Sequence, residues 1–446
     1  MGQRDRVSGE DGRRRAAAGA GGEAARPRIW IEVDDFLRYF DGSLTPTGIG
    51  RVQAEIFPQL VARHADRISF IRLGADSRTV SLLTWRDVRR LADGNDFLSR
   101  HGGRSRTLAA RRLLRYLSRR AAVRLRELRR PGDLRRFEET VRPGDVLLNI
   151  GAAWTHHGFG ETVGELRRRH GMRFALLVHD LLPITHPQFV APRHIPGFVR
   201  WLGEMADVLD LALTPSRASA EALRDWLDEG GRPLPPICPV PFGAGFPSST
   251  GGLPAAAEAG RRHVLYVSTI EVRKNHMLLL RVWERLIAAH GADAVPPLVF
   301  AGKYGWEIDE LKAELARTGF LGGKITAVQN LTDGQLAELY RQSHFTVFPS
   351  FCEGWGLPVA ESLLYGRYCI ASDATSIPEV GGRFLDYHDP ADLDAAHRLI
   401  ERALFDPGYL AERERLIAAE YRPPSWAGTA DAIVAALDRH LVAPAG

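Results

Sequence analysis

The 446-residue sequence predicts an α/β protein of two domains, each built on a parallel sheet, facing each other across a central cleft. Three observations predict it. From Ile29, short apolar runs alternate with longer stretches of helical period, the rhythm of a sheet covered by helices on both faces. The rhythm breaks in a stretch rich in Gly, Pro and Ser, Pro241–Gly260. It restarts at His263.

Taken in order, the first half reads as strands Ile29–Val33, Ile68–Leu73, Val146–Ile150, Phe174–Val178 and Leu209–Leu213. Helices are expected over Ile49–Arg63, Phe159–His170, Ile195–Ala206 and Arg217–Asp228. The second half alternates strictly. Strands His263–Val267, Leu298–Ala301, Ile325–Val328, Phe345–Phe348 and Tyr368–Ala371 are separated by helices Asn275–His290, Glu307–Thr318, Asp333–Ser343 and Leu357–Tyr365. Asp333 is read as an N-cap and Gly366 as the glycine that ends its helix. The resulting organisation is a disordered tail over 1–28, a first domain over 29–245 and a linker over 246–262. A second domain follows over 263–424, then a C-terminal helix over 425–446 that could pack back on the first domain.

Composition excludes several classes. At 45% hydrophobic and 25% charged, the chain is that of a soluble globular protein. Three scattered cysteines, Cys238, Cys352 and Cys369, rule out a disulfide scaffold or a zinc ribbon and point to a reducing compartment. No apolar run reaches the roughly 18 residues of a membrane span. Residues 1–28 lack the apolar core of a signal peptide. The net charge of +5 is uneven: residues 100–136 carry +12, which leaves −7 for the rest of the chain. That is one basic device on an acidic protein rather than a general nucleic-acid binder.

In open parallel sheets, ligands bind at the carboxyl ends of strands. The strongest chemical signal lies there. P-S-F-C-E-G-W-G-L-P-V-A-E, Pro349 to Glu361, runs from a strand through a glycine loop into a helix with Pro358 in its first turn. The backbone N–H groups of Gly354, Trp355, Gly356 and Leu357 should lie unpaired beside the positive helix end, a geometry suited to a diphosphate. Glycines allow a ligand close to the backbone. Glu353 and Glu361 flank that anion site, so each is better suited to accept from hydroxyls: one from a sugar, the other from a ribose. The second signal is Y-V-S-T-I-E-V-R-K-N-H, Tyr266 to His276. Arg273 and Lys274 follow a strand and open a helix, where cations oppose the dipole unless an anion lies between them.

These motifs together resemble the donor domain of family-4 retaining glycosyltransferases, which have the GT-B fold of two Rossmann-like domains. The resemblance covers residues 263–382, and its hallmark is Glu353 and Glu361 spaced E-x7-E in P-S-x-x-E-G-x-G-L-P. A-G-K-Y-G-W, L-T-D-G-Q-L-A-E-L-Y and A-S-D-A-T-S-I-P-E-V-G-G follow in family order. The first half shares T-G-I-G-R-V, L-L-V-H-D-L-L-P and L-T-P-S-R-A-S. The subgroup most resembled includes bacterial mannosyltransferases of surface-polysaccharide assembly.

The resemblance implies that Glu353 contacts the donor sugar and Glu361 the ribose, while Arg273 and Lys274 hold the diphosphate and the leaving-group charge. It places His179 or Asp180 by the sugar face and acceptor. Gly302, Lys303 and Leu331 fall among the donor-binding positions. Gly48 and Gly50 would form a glycine loop lining the cleft from the first domain. Many members carry Arg where this sequence has Thr269, which leaves the second diphosphate cation unassigned. Asp34-Asp35 is not a D-x-D, and Asp392 with Asp394 lies at a helix start where Asp caps, so no metal and no cofactor is expected beyond the nucleotide-sugar co-substrate.

Within the basic segment, Leu114, Leu117, Ala121, Leu125 and Leu128 form a helical apolar stripe flanked by arginines. Residues 104–130 could therefore lie on an anionic membrane, or pack on their own domain with a solvated face. The expected activity is transfer of a hexose, best matched by mannose from GDP-mannose, with retention. The acceptor is a glycan or polyprenyl-linked glycan, and the setting is the cytoplasm, with attachment to the inner membrane face if that segment binds it. A sugar-nucleotide epimerase would use the same donor pocket, but E-x7-E argues against it. A membrane- or RNA-binding scaffold leaves Pro349–Glu361 unexplained, and no aromatic-interleaved RNA motif accompanies the arginines.

Overall fold

The computed structural model describes residues 26–42, 48–74, 79–89, 132–156, 158–245 and 262–442. The first sheet holds β1 (Ile29–Glu32), β2 (Ile68–Leu73), β3 (Val80–Leu83), β4 (Val146–Asn149), β5 (Arg173–Leu177), β6 (Leu211–Thr214) and β7 (Ile237–Pro239). Their order is β3-β2-β1-β4-β5-β6-β7. All pairs are parallel except β3, which lies antiparallel at the edge. The second sheet holds β8 (His263–Val267), β9 (Leu298–Ala301), β10 (Ile325–Val328), β11 (Ser343–Phe348), β12 (Cys369–Ser372) and β13 (Asp386–His388). It is wholly parallel, in the order β10-β9-β8-β11-β12-β13.

Strands buried on both faces are largely apolar: L-V-F-A of β9 and V-L-L of β4 are buried at every position, and the polar Asn149 that ends β4 is buried with its amide donating to Glu32 Oε2 at 3.1 Å. Strand order reverses direction between β1 and β4 and again between β8 and β11. Each reversal opens a crevice at the carboxyl ends.

Several expectations are corrected. Thr332, not Asp333, caps its helix: its hydroxyl accepts from Gln335 N while the Gln335 side chain accepts from Thr332 N. Asp333 is the first helical residue. Arg273 and Lys274 do not open the long helix. They sit in a short 3-10 turn, Val272–Lys274, and Asn275 at φ 56 separates them from the helix His276–His290. A helix over Asp34–Gly42 was not expected, nor were the three- and four-residue edge strands β3, β7 and β13. Gly366, at φ 66, does end the helix Leu357–Leu364 in the left-handed region. Residues 1–25 of the tail expected over 1–28, residues 246–261 of the linker expected over 246–262 and the arginine segment over 104–130 lie outside the described residues.

The last helix, Trp426–Leu441, lies on the first domain. Trp426, Ile433 and Leu437 are buried in the same core as Ile56 and Leu60 of the helix Gly48–His64. Arg67 is bidentate to Asp438, at 2.9 and 2.7 Å, which fixes the register of that contact. The chain therefore crosses from first domain to second and returns.

Candidate active site

A cavity of about 510 Å³ lies between the two sheets. Its walls come from carboxyl-terminal loops of both domains. The first domain gives Gly48, Ile49, Arg51 and Val52, then His179 and Asp180 after β5. The second gives Ser268, Thr269, Glu271, Arg273 and Lys274 after β8, Gly302 and Lys303 after β9, Leu331 and Asp333 after β10, and Glu353–Leu357 with Glu361 after β11. Every site residue expected from sequence lines it except one. Gly50 faces Tyr39 instead: a Cβ there would lie 3.1 Å from that ring. The cause is local. Residues 48–64 are already helical at Gly48, so position 50 turns away from the cleft while Gly48 and Arg51 face it.

The centre of the site is Glu353. Its Oε2 accepts from Arg273 Nη1 at 2.9 Å, and its Oε1 accepts from Lys274 Nζ. Burial would raise this carboxyl, but the two cations outweigh burial and bring it down to about 2. Arg273 is further held by Cys352 O at 2.6 Å and by the Glu271 carboxylate at 2.9 Å. Phe351 N donates to Arg273 O at 2.9 Å, and Tyr266 OH to Lys274 O at 2.6 Å. The anion between Arg273 and Lys274 in this structure is therefore the protein's own Glu353.

The adjoining helix Leu357–Leu364 begins at Gly356, φ 111, with no side chain capping it. Pro358 has no N–H, and Val359 N donates to Gly356 O at 3.0 Å, so the amides of Gly356 and Leu357 are the ones that a ligand anion at this cavity wall would meet. Glycine at 354 has a different purpose. A Cβ there would meet His179 O at 2.3 Å, so only glycine lets the two domains approach. Ser216 Oγ donates to Gly354 O at 2.9 Å across the same junction.

Glu361 is 3% exposed. Its Oε2 accepts from Tyr340 OH at 2.8 Å, and Arg51 Nη2 of the first domain lies 3.6 Å from its Oε1. Burial raises this carboxyl and Arg51 opposes the rise. Glu55, one turn along from Arg51, is pushed up to about 7 by burial. His179 is brought down to about 4 by burial, so it is neutral at pH 7. Its Nε2 lies 3.0 Å from Ile150 O. A carbonyl only accepts, so Nε2 carries the proton and Nδ1 is left as an acceptor. Burial raises the Asp180 carboxyl, while the Arg273 charge opposes that rise.

Sequence reasoning missed Arg51, Glu271, Asp333, Tyr340 and Trp306. Arg51 stood in plain view in T-G-I-G-R, but its partners lie in the other domain, and nothing local marks them. Thr269 lines the cavity, and Lys303 is the further cation there. Among the described residues, no group of three or more His, Cys, Asp or Glu is placed to hold a metal ion. None of their helices is long and apolar enough to cross a membrane.

Known proteins resemble this chain in sequence and in fold. Residues 255–422 match the family described as Glycosyl transferases group 1. Over 248 residues the chain is 31% identical to the serotype-specific mannosyltransferase WbdA of Escherichia coli, covering 52% of this chain and 30% of that protein. Over 151 residues it is 34% identical to the O-antigen chain mannosyltransferase B of Escherichia coli, covering 34% and 39%. The matched stretches thus span well under half the length of these relatives. The solved sucrose-phosphate synthase of Thermosynechococcus elongatus superposes with a TM-score of 0.60 at 15% identity, over 93% of this chain and 99% of that one, a likeness of fold.

Proposed function

We propose that this chain, a GT-B glycosyltransferase whose second domain is of the Glycosyl transferases group 1 family, moves a mannosyl unit from a nucleotide sugar to a glycan acceptor in surface-polysaccharide assembly. One observation carries the reading: Glu353 is clamped by Arg273 and Lys274 at the mouth of an uncapped helix that also holds Glu361, between two parallel sheets. Two cations, the amides of the Gly356–Leu357 turn and a buried hydroxyl acceptor are what a sugar diphosphate joined to a ribose needs. The mannosyl assignment leans on the two mannosyltransferase relatives, and GDP-mannose is the donor proposed.

Binding then rearranges the centre. The donor diphosphate takes over Arg273, Lys274 and the N–H groups of the Gly356–Leu357 turn. Glu353 is released from that clamp and turns to the sugar hydroxyls. Glu361 accepts from the ribose while Tyr340 holds its second oxygen. His179 offers Nδ1 to a further sugar hydroxyl. As the glycosidic bond breaks, charge grows on the diphosphate and is met by groups already oriented toward it. The acceptor hydroxyl attacks from the same face, and its proton passes to the departing phosphate oxygen, so configuration is retained and no further base is needed.

A panel of GDP-, UDP-, dTDP- and ADP-sugars, read first by protection against thermal unfolding and then by the anomeric configuration of the product, tests this. GDP-mannose should protect most and give an α-linked product. Protection by none of the four ends the reading. Attachment to an anionic leaflet through residues 104–130 belongs to the same proposal and rests on the sequence stripe; cosedimentation with anionic vesicles at low salt should detect it.

A further inference from the structure

The loop after β9 carries two large rings at the rim of the cleft. Tyr304 and Trp306 are each 37% exposed. Trp306 lines the cavity; its neighbour Gly305 packs against Glu271, and its indole reaches Phe189, which stacks on Phe351, whose N–H donates to Arg273 O, whereas Arg51, Asp333 and Glu361 cluster around one another at the proposed ribose position. The indole thus stands toward the reacting end of the donor cavity.

The loop is held firmly. Ile270 and Tyr304 form a parallel bridge, with Ile270 N donating to Lys303 O at 2.8 Å and Gly305 N to Ile270 O at 2.7 Å. A Cβ on Gly305 would come 3.0 Å from Glu271 Cβ, and one on Gly302 would come 1.7 Å from Ser268 O, so both close approaches depend on glycine. Glu307, directly after the indole, is at φ 52, a left-handed backbone that a glutamate adopts only under constraint. The indole Nε1–H donates to Phe189 O of the first domain at 3.2 Å, which fixes the ring plane. Phe189 in turn stacks on Phe351, with centroids 4.8 Å apart and planes at 12°.

A rigid, part-exposed indole at the mouth of a polar cavity matches the two-sided chemistry of a pyranose, apolar on its C–H face and polar around its edge. We propose that Trp306 is the stacking platform for the acceptor glycan, holding one pyranose face so that its hydroxyl reaches the Glu353–Arg273 centre. This rests on the glycosyltransferase reading and adds the residue that selects the acceptor.

The test is an equilibrium titration of the full chain, saturated with GDP, by an α-linked mannotrioside. Binding should be saturable. Trp306→Ala should weaken it at least about fivefold, and Trp306→Phe, which keeps a ring but loses the N–H, by less than about twofold. GDP affinity should be the same in all three proteins. If the two variants lose equally and GDP affinity falls with them, the indole acts as a domain clasp through Phe189 and the platform is wrong. It is equally wrong if Trp306→Ala binds the trioside normally, or if the wild type binds GDP but no trioside. Failure to bind any of GDP, UDP, dTDP or ADP would instead overturn the transferase reading, and the platform with it.

Discussion

Arg51 of the first domain points at Glu361 of the second, Nη2 to Oε1 at 3.6 Å, and Asp333 lies 3.9 Å from the same guanidinium. The proposed ribose acceptor is therefore shared between domains. Its charge depends on whether the first domain is in place, because burial alone would leave Glu361 protonated at a higher pH than usual. On the proposed reading, a nucleotide entering here would exchange an interdomain ion pair for hydroxyl donors.

If Glu361 accepts from the ribose, Glu361→Gln should leave the fold intact and weaken GDP binding. A hydrogen bond to a charged group contributes roughly 1.5–3 kcal/mol, so the dissociation constant should rise at least about tenfold. Tyr340→Phe removes only the hydroxyl that donates to Oε2 at 2.8 Å, and should cost less, about threefold to tenfold. Calorimetry on both variants decides; an unchanged constant for Glu361→Gln takes this residue out of the site.

Lys274 and Arg273 should matter more during bond breaking than during binding. Lys274→Ala is expected to lower kcat more than it raises the donor dissociation constant, since the charge it meets is largest in the transition state. Steady-state kinetics at saturating acceptor, set beside equilibrium GDP binding, separate the two. Equal losses would make Lys274 a simple binding residue. The proposal needs no divalent cation, so EDTA should leave most activity; abolition by EDTA with rescue by Mg²⁺ would refute that part.

Glu55 gives a pH dependence with a definite sign. Burial carries its carboxyl from 4.5 up to about 7, so the folded protein binds its proton more tightly than the unfolded chain does. The stability this group contributes is complete below about 4.5 and is lost as pH rises through about 7. The loss amounts to roughly 3 kcal/mol. Glu55→Gln, which cannot ionise, should remove that part of the decline, so its Tm should exceed the wild-type value more at pH 8 than at pH 5. Parallel Tm curves across that range would show that Glu55 is not raised.

How much of this could be read from the chain follows from where each signal resides. Glu353, Gly354 and Glu361 sit within one loop and the helix it starts, so their spacing alone fixes their common orientation. Apolar runs such as Leu298–Ala301 mark strands because a parallel sheet buries both faces. Short edge strands such as Ile237–Pro239 carry too few residues to show a period. Gly50 failed for a reason of phase: two glycines two apart on a helix point in different directions, whereas a loop would have let both face the cleft. The pairings of Arg51 with Glu361, Trp306 with Phe189 and Glu379 with Arg217 join distant segments. Such pairings are products of the tertiary fold, and no local pattern encodes them.

Glu379 carries the last prediction. It lies in the second domain, and its two carboxylate oxygens each accept from a backbone N–H of the first, Arg217 N and Ala218 N, both at 2.8 Å. Those are the first two amides of the helix Arg217–Glu229, whose own N-cap, Ser216, accepts only from Ser219 N. A carboxylate across the first turn satisfies orphan donors and favours the helix dipole, and here it does so only while the domains are together. Glu379→Ala should therefore favour the open arrangement. The expected result is a larger radius of gyration by X-ray scattering with GDP bound, and kcat/KM reduced roughly tenfold, because catalytic groups from both domains must meet. Thermal stability of each domain should change little, since the residue is outside both cores. Glu379→Gln, which keeps a carbonyl acceptor, should fall between. Scattering and kinetics both indistinguishable from wild type would mean that closure is set by Gly354, Ser216 and the Phe189–Phe351 stack without this clasp.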